Sequence, residues 1–197
     1  GFDDRGRALA SAERGGLYRL TLGDSVEVEL LDDELGGAQG LLALGRDLYL
    51  VCSPRGEFAG GVWRLRDADG DDRYEVRELL FELTGAGEHG PHALIPEGER
   101  ILFVAGNHTP LPANVARTRV PPTWAEDQLL PAREDAGGHA WGIPAPGGWL
   151  VSMDRDGRDL ELVAAGMRNA YDIALGPDGE VFTYDSDMEW DVGLPWY

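Results

Sequence analysis

The chain predicts an all-β fold, a β-propeller, on three observations. Similar hydrophobic strands recur with a polar residue at the head: Gln39 in Ala-Gln-Gly-Leu-Leu, His89 in Glu-His-Gly-Pro-His-Ala-Leu, and Asn169 in Met-Arg-Asn-Ala-Tyr-Asp-Ile-Ala. Each is followed by a turn and a second strand: Asp47-Leu-Tyr-Leu-Val, Arg100-Ile-Leu-Phe-Val and Glu180-Val-Phe-Thr-Tyr. Strand-like runs set off by Gly, Pro, Asp and Asn dominate, without a helical period longer than two turns. A unit recurring in this way marks a repeat architecture, and inner strands of successive propeller blades converge on one channel.

The elements follow in order. Residues 1–31 read as the outer part of one blade, with Gly16-Leu-Tyr-Arg-Leu-Thr and then Val26-Glu-Val-Glu-Leu-Leu alternating in and out. A second blade runs from about Gln39 to Leu83 and contains Gly61-Val-Trp-Arg-Leu-Arg. A third begins near His89 and resumes with Gly148-Trp-Leu-Val-Ser-Met and Leu160-Glu-Leu-Val. A fourth starts at Asn169. About three and a half blades are expected, where closed rings have about four to eight. The expectation is therefore one partial, open propeller domain over 1–197, with a self-contained four-bladed ring as the other solution. The stretch from Thr109 to Gly138 breaks the rhythm with Pro110, Pro112, Pro121, Pro122 and Pro131. A Pro-rich insertion at about 109–138 is placed to wall the channel mouth or to run through solvent.

Composition narrows the function classes. The 197 residues are 43% hydrophobic and 27% charged, the balance of a globular protein. A net charge of −19 repels phosphate backbones and anionic lipids, which argues against nucleic acid or a membrane surface as partner. No apolar run reaches the roughly 18 residues that insertion across a bilayer requires. The single cysteine, Cys52, lies in the apolar run Leu-Tyr-Leu-Val-Cys and reads as a buried thiol; it excludes an intrachain disulfide and a cysteine-based metal site.

Among the polar residues, His89 is the candidate for chemistry. Imidazole titrates nearest neutrality, and the flanking Gly87-Glu88 and Gly90-Pro91 let the backbone turn sharply into a strand. A lone histidine is more often a hydrogen-bonded structural residue; its repeat position beside Gln39 and Asn169 points to a shared cavity. His92 is expected on the opposite strand face from His89, and His108 and His139 bracket the long loop without an assigned role. Four histidines without metal-ligand spacing give a weak case for a transition metal.

Two acidic runs are candidates for hard cations. Asp67, Asp69, Asp71 and Glu78 fall at positions 1, 3, 5 and 12 of an EF-hand-like loop, but its glycine is at position 4 and its flanks are strand-like. A hairpin turn rich in Asp and Gly explains the same run without an ion. Asp185, Asp187, Glu189 and Asp191 end an inner strand and read as a cation loop or a solvated one. Asn107-His-Thr matches a glycosylation sequon.

At these residues the chain resembles the soluble quinoprotein glucose dehydrogenase / glucose–sorbosone dehydrogenase family from about Ala38 to Met188. Ala38-Gln39-Gly-Leu-Leu, His89 with Leu94 and Ile101-Leu-Phe-Val-Ala-Gly-Asn107, and Gly166-Met-Arg168-Asn169 carry the likeness. The runs Gly-Glu-His-Gly-Pro-His-Ala-Leu and Pro-Pro-Thr-Trp-Ala-Glu-Asp-Gln-Leu-Leu-Pro resemble a narrower bacterial group of membrane-bound-dehydrogenase-like propellers, often fused to c-type haem domains. The resemblance implies a six-bladed propeller that holds pyrroloquinoline quinone (PQQ) and Ca²⁺ and is periplasmic or secreted. It implies His89 as the catalytic base with Asn107 as its partner, and Gln39, Arg168 and Asn169 as cofactor-binding residues. The calcium-binding carbonyls fall at Asp187 and Met188. The implied reaction is hydride transfer from a sugar or polyol hydroxyl to PQQ, with an electron acceptor such as a c-type cytochrome. No haem is covalently attached to this sequence, which contains no Cys-x-x-Cys-His; any haem would lie elsewhere in a parent protein.

Three departures qualify the likeness. Asn107 stands where the family has a carboxylate, Asp187-Met188 replaces Gly-Pro, and the later cofactor-binding Lys and Arg of the family would lie past Tyr197. Two rival functions remain open on sequence grounds: a non-catalytic propeller binding a glycan or protein, and a calcium-dependent lactonase-type hydrolase.

Overall fold

The computed structural model describes residues 1–120, 143 and 146–186. Among these, strands and turns are present and no helix is. Four antiparallel sheets follow one another along the chain, each an up-and-down meander. The first joins β1 (Ala8–Ser11), β2 (Leu17–Leu22) and β3 (Val26–Asp32). The second joins β4 (Ala38–Leu44), β5 (Asp47–Cys52), β6 (Gly61–Arg66) and β7 (Val76–Glu82). The third joins β8 (Pro91–Glu97), β9 (Arg100–Ala105), β10 (Gly148–Met153) and β11 (Glu161–Met167). The fourth has β12 (Ile173–Leu175) and β13 (Val181–Thr183).

The recurring sequence unit is the first hairpin of a sheet. In both four-stranded sheets a two-residue Gly-X turn closes it, at Gly45 with φ 62° and at Gly98 with φ 60°. A glycine with positive φ at the first central position suits a II′ turn, whose twist matches that of the flanking strands.

Burial of the second strands shows how the sheets stack. Along β5, Leu48, Leu50 and Cys52 join a core with Leu9, Leu17 and Leu35 of the first unit. The alternate residues Tyr49 and Val51 join a different core with Ile101, Phe103 and Trp149 of the third sheet. Along β9 the division repeats: Leu102 and Val104 pack toward Ala170 and Ile173. Such strands are buried on both faces, which is why they read as unbroken apolar runs. Each buried aliphatic or aromatic side chain contributes roughly 1.5–3 kcal/mol.

The first strands of the sheets lie side by side: β1 beside β4, β4 beside β8, and β8 beside β12. The close approach of β4 to β8 depends on Gly40, where an added Cβ would lie 2.4 Å from the His92 carbonyl oxygen. At the far ends of the row, β3 exposes Val26, Val28 and Leu30, and the last sheet exposes Leu175 and Phe182.

The described part of the Pro-rich insertion leads away from the strand heads. Ala116 bridges in parallel to Glu161, with Ala116 N donating to the Leu160 carbonyl at 2.8 Å. Leu111, Val115 and Val120 pack on the core between the second and third sheets. Up to residue 120, then, the insertion runs beside the start of β11. Residues 121–142 lie outside the described residues.

Candidate functional site

The site forms where the polar heads of β4, β8 and the approach to β12 meet. Gln39 is the extra residue of a β-bulge: Ala38 pairs with Cys52 and Gly40 with Val51, so two steps on β4 match one on β5. A second bulge lies at the head of β8, where Pro91 pairs with Ala105 and Leu94 with Phe103. A bulge re-aims side chains that strict alternation would send elsewhere. His92, expected on the opposite face from His89, is the imidazole that reaches the other polar heads. Its Nε2 lies 2.7 Å from Asn169 Oδ1 and its Nδ1 3.3 Å from Gln39 Oε1. The imidazole that joins the two amides is therefore His92, a residue to which sequence alternation gave no role.

His89 sits in the same assembly through a different partner. It precedes β8 and is 2% exposed, with Nδ1 2.7 Å from Asn107 Oδ1. The Nδ1 proton donates to that oxygen, which leaves Nε2 as the free lone pair, 3.8 Å from the exposed Glu88 carboxylate. The His108 ring lies against the His89 ring at 4.5 Å between centroids. Burial pushes the His89 pKa below its ordinary value; the Asn107 bond opposes this, and Arg168 and His108 act with it. His92 is also pushed down, chiefly by burial, against the pull of Asn169 and the Glu88 backbone carbonyl.

Backbone bonds lock the supporting loops. Asn107 N donates to the Arg168 carbonyl at 2.8 Å, and His108 N to the His89 carbonyl at 3.1 Å. The Asp185 carboxylate accepts from Arg168 N at 2.9 Å and from Asn169 N at 2.7 Å. Asp185, read from sequence as part of a cation loop or a solvated one, fixes the Arg168–Asn169 turn. Arg168 also donates through Nη1 to Ser186 Oγ at 2.8 Å. Gly106 is wedged in: a Cβ there would lie 2.6 Å from the His89 carbonyl oxygen and 2.7 Å from Asn169 Oδ1.

Several buried polar atoms at this junction have no hydrogen-bond partner among the described residues, including Asn107 Nδ2 and Arg168 Nε. Unsatisfied buried donors are costly, and a cluster of them marks the place for a polar ligand or ordered water. Exposed Tyr171 closes one side, its ring 4.5 Å from that of His92. Asn107 is 5% exposed, so the sequon asparagine is a buried partner of His89 and no surface acceptor.

The structure gathers His89, Asn107, Arg168 and Asn169 by the contacts above, and Gln39 through His92. Asp187 and Met188, expected as calcium ligands, lie outside the described residues, as do Glu189, Asp191 and His139. In the other acidic run, oxygens of Asp67, Asp69, Asp71 and Glu75 lie within 4.8 Å of one another. Glu75 takes the fourth place; Glu78 instead pairs with Arg64 at 2.6 Å across the β6–β7 ladder. Each of the four already accepts a backbone N–H of its own turn, as where Asp67 Oδ2 accepts from Asp72 N. That is the bonding of an Asp-rich turn. Cys52 is 1% exposed, and burial pushes its thiol pKa up to about 12.

No protein-family model and no curated protein matches the chain.

Proposed function

We propose that the four sheets are blades of a six-bladed type of β-propeller, and that the cluster at their heads is the site of a PQQ-dependent dehydrogenase acting on a sugar or polyol hydroxyl. One observation carries the reading: side chains from three successive sheet heads, Gln39, His92 and Asn169, meet in hydrogen-bonding contact next to the His89–Asn107 pair. Face-to-face sheets with adjacent first strands are the arrangement that makes such a meeting possible.

The residues fit the cofactor that the sequence resemblance implies. PQQ is an anionic, oxygen-rich quinone, and the site offers the Arg168 guanidinium, two carboxamides and the unpartnered donors Asn107 Nδ2 and Arg168 Nε. Gln39, Arg168 and Asn169 would hold it. When bound, the quinone supplies the hydride acceptor. The chain's own part is proton handling and orientation. Asn107 fixes the Nδ1–H tautomer of His89, so Nε2 is the atom that takes a hydroxyl proton. Burial keeps that ring neutral at physiological pH, the form a base requires. The supposed calcium ligands are outside the described residues, and nothing in this scheme depends on them. A periplasmic or secreted setting and a c-type cytochrome acceptor accompany the proposal through the same resemblance.

The test is PQQ binding to the full chain with Ca²⁺ present, followed by dye reduction with aldoses and polyols. Saturable binding, with turnover abolished by His89→Ala, is expected; absence of PQQ binding overturns the reading. A non-catalytic glycan-binding function is favoured by one observation: Gln39 and Tyr171 are exposed while His89 is buried. It predicts sugar binding without PQQ.

A further inference from the structure

We propose that His92 is a positioning residue, a clamp that sets which atom each of the Gln39 and Asn169 carboxamides presents to a ligand. The clamp rests on geometry alone, and its consequence for PQQ rests on the proposed function. His92 is 1% exposed. Its ring is bounded by the Asn169 and Gln39 amides, the Tyr171 ring and the Glu88 backbone carbonyl. Among the described residues no carboxylate bonds it, and burial outweighs the pull of Asn169 and the Glu88 backbone carbonyl, so the ring is neutral.

A neutral imidazole carries one N–H and one lone pair. It cannot donate to both amide oxygens. The 2.7 Å contact assigns the proton to Nε2, donating to Asn169 Oδ1. Nδ1 is then an acceptor, and the looser 3.3 Å contact is satisfied when Gln39 turns its NH₂ to the ring. Half a turn of a carboxamide exchanges oxygen and nitrogen at the same place. The two amides thus present opposite faces outward: Asn169 its NH₂, Gln39 its oxygen.

The two amides depend on His92 unequally. Asn169 is also held through its backbone by Asp185 and confined by Gly106. Gln39 is exposed, sits in a bulge, and among the described residues has no other side-chain hydrogen bond. Its orientation follows from His92.

The experiment uses the full chain with ¹⁵N-labelled histidine and amide side chains. The ligand-free protein is expected to show a single neutral His92 tautomer protonated at Nε2, and a resolved, slowly rotating Gln39 NH₂. A fast-exchanging tautomer mixture, or protonation at Nδ1, overturns the assignment. PQQ is then titrated with Ca²⁺ present, by calorimetry. His92→Leu, which removes both contacts, is expected to weaken PQQ about tenfold or more. His92→Gln, which keeps one donor toward Asn169, is expected to fall between His92→Leu and the parent. Parent-like affinity in His92→Leu overturns the clamp. If the parent protein binds no PQQ, the quinone reading fails, and the ring and side-chain amide spectra decide the clamp unaided.

Discussion

Replacing Gly40 by alanine tests the contact on which fold and site both depend. The new Cβ would lie 2.4 Å from the His92 carbonyl oxygen, 3.1 Å from Leu94 N and 3.2 Å from Ala93 Cα. All three are backbone atoms of β8, so no side chain can swing aside. Restoring ordinary contact requires β4 and β8 to separate by roughly 1 Å. Overpacking of this kind costs about 1–3 kcal/mol. Alanine also restricts the unfolded chain, a gain of about 0.4–1 kcal/mol where the backbone permits it. The net expectation is a loss of about 1–2 kcal/mol, or a fall in Tm of about 2–8 °C for a chain of this size. Thermal unfolding followed by circular dichroism measures it. Gly23→Ala is the control, since a Cβ there meets only Ser25 O at 3.7 Å; it should melt at or slightly above the parent. Gly40→Ala melting at or above the parent would refute the close approach, and with it the route by which Gln39 reaches His92.

Three further outcomes follow from particular side chains. Asn107→Asp places a carboxylate on His89 Nδ1 and favours the imidazolium, so the limb where kcat/KM falls with decreasing pH should move to higher pH; an unmoved limb means that another group is the base. Asp72 accepts from Arg7, Arg5 and Arg19, with the Arg7 bonds foremost in holding its carboxyl down at about 2. This stabilisation is complete above the unfolded-state value of about 4 and is lost as pH falls toward about 2. Asp72→Asn keeps a side chain that tolerates the φ of 75° there and should flatten that acid limb in urea midpoints measured against pH. Cys52, buried with its thiol pushed up to about 12, should resist thiol reagents in the folded protein and react at the rate of unfolding; fast labelling of native protein would contradict its placement.

Much of the fold was legible because stacked sheets write a plain signal. The runs Asp47-Leu-Tyr-Leu-Val and Arg100-Ile-Leu-Phe-Val are apolar at every step because β5 and β9 are covered on both faces. The Gly-X turns and the polar strand heads recur because each sheet begins with the same hairpin. Sequence located the strands of the second sheet closely, although β1 was not expected. Side-chain partners at a distance were not legible. Glu78 looked like a ligand of the Asp67 loop by spacing, but in β7 it stands opposite Arg64, and the register of a ladder decides its partner. Asp185 looked like part of an acidic loop, cation-binding or solvated, and its two backbone partners, in a turn 16–17 residues earlier, could not be read from spacing.

The misplacement of His92 has the most instructive cause. Alternation fixes where His92 points only if the strand is regular at its head. Here Pro91 and Leu94 are three residues apart while their partners Ala105 and Phe103 are two apart, so the pleat is reset within that stretch. The same irregularity at Gln39 shows that the device is repeated at the head of the preceding sheet. A bulge adds no residue type that a sequence would reveal; it changes only the count of residues against a partner strand. Strand positions could thus be read from local pattern, whereas the identity of the bridging imidazole required the cross-strand register. The regular part of each strand builds the stack, and the irregular head aims the polar side chains into a common space. A single-residue deletion that restores regular pairing at either head should therefore leave the apolar cores intact while dispersing the polar side chains that meet there.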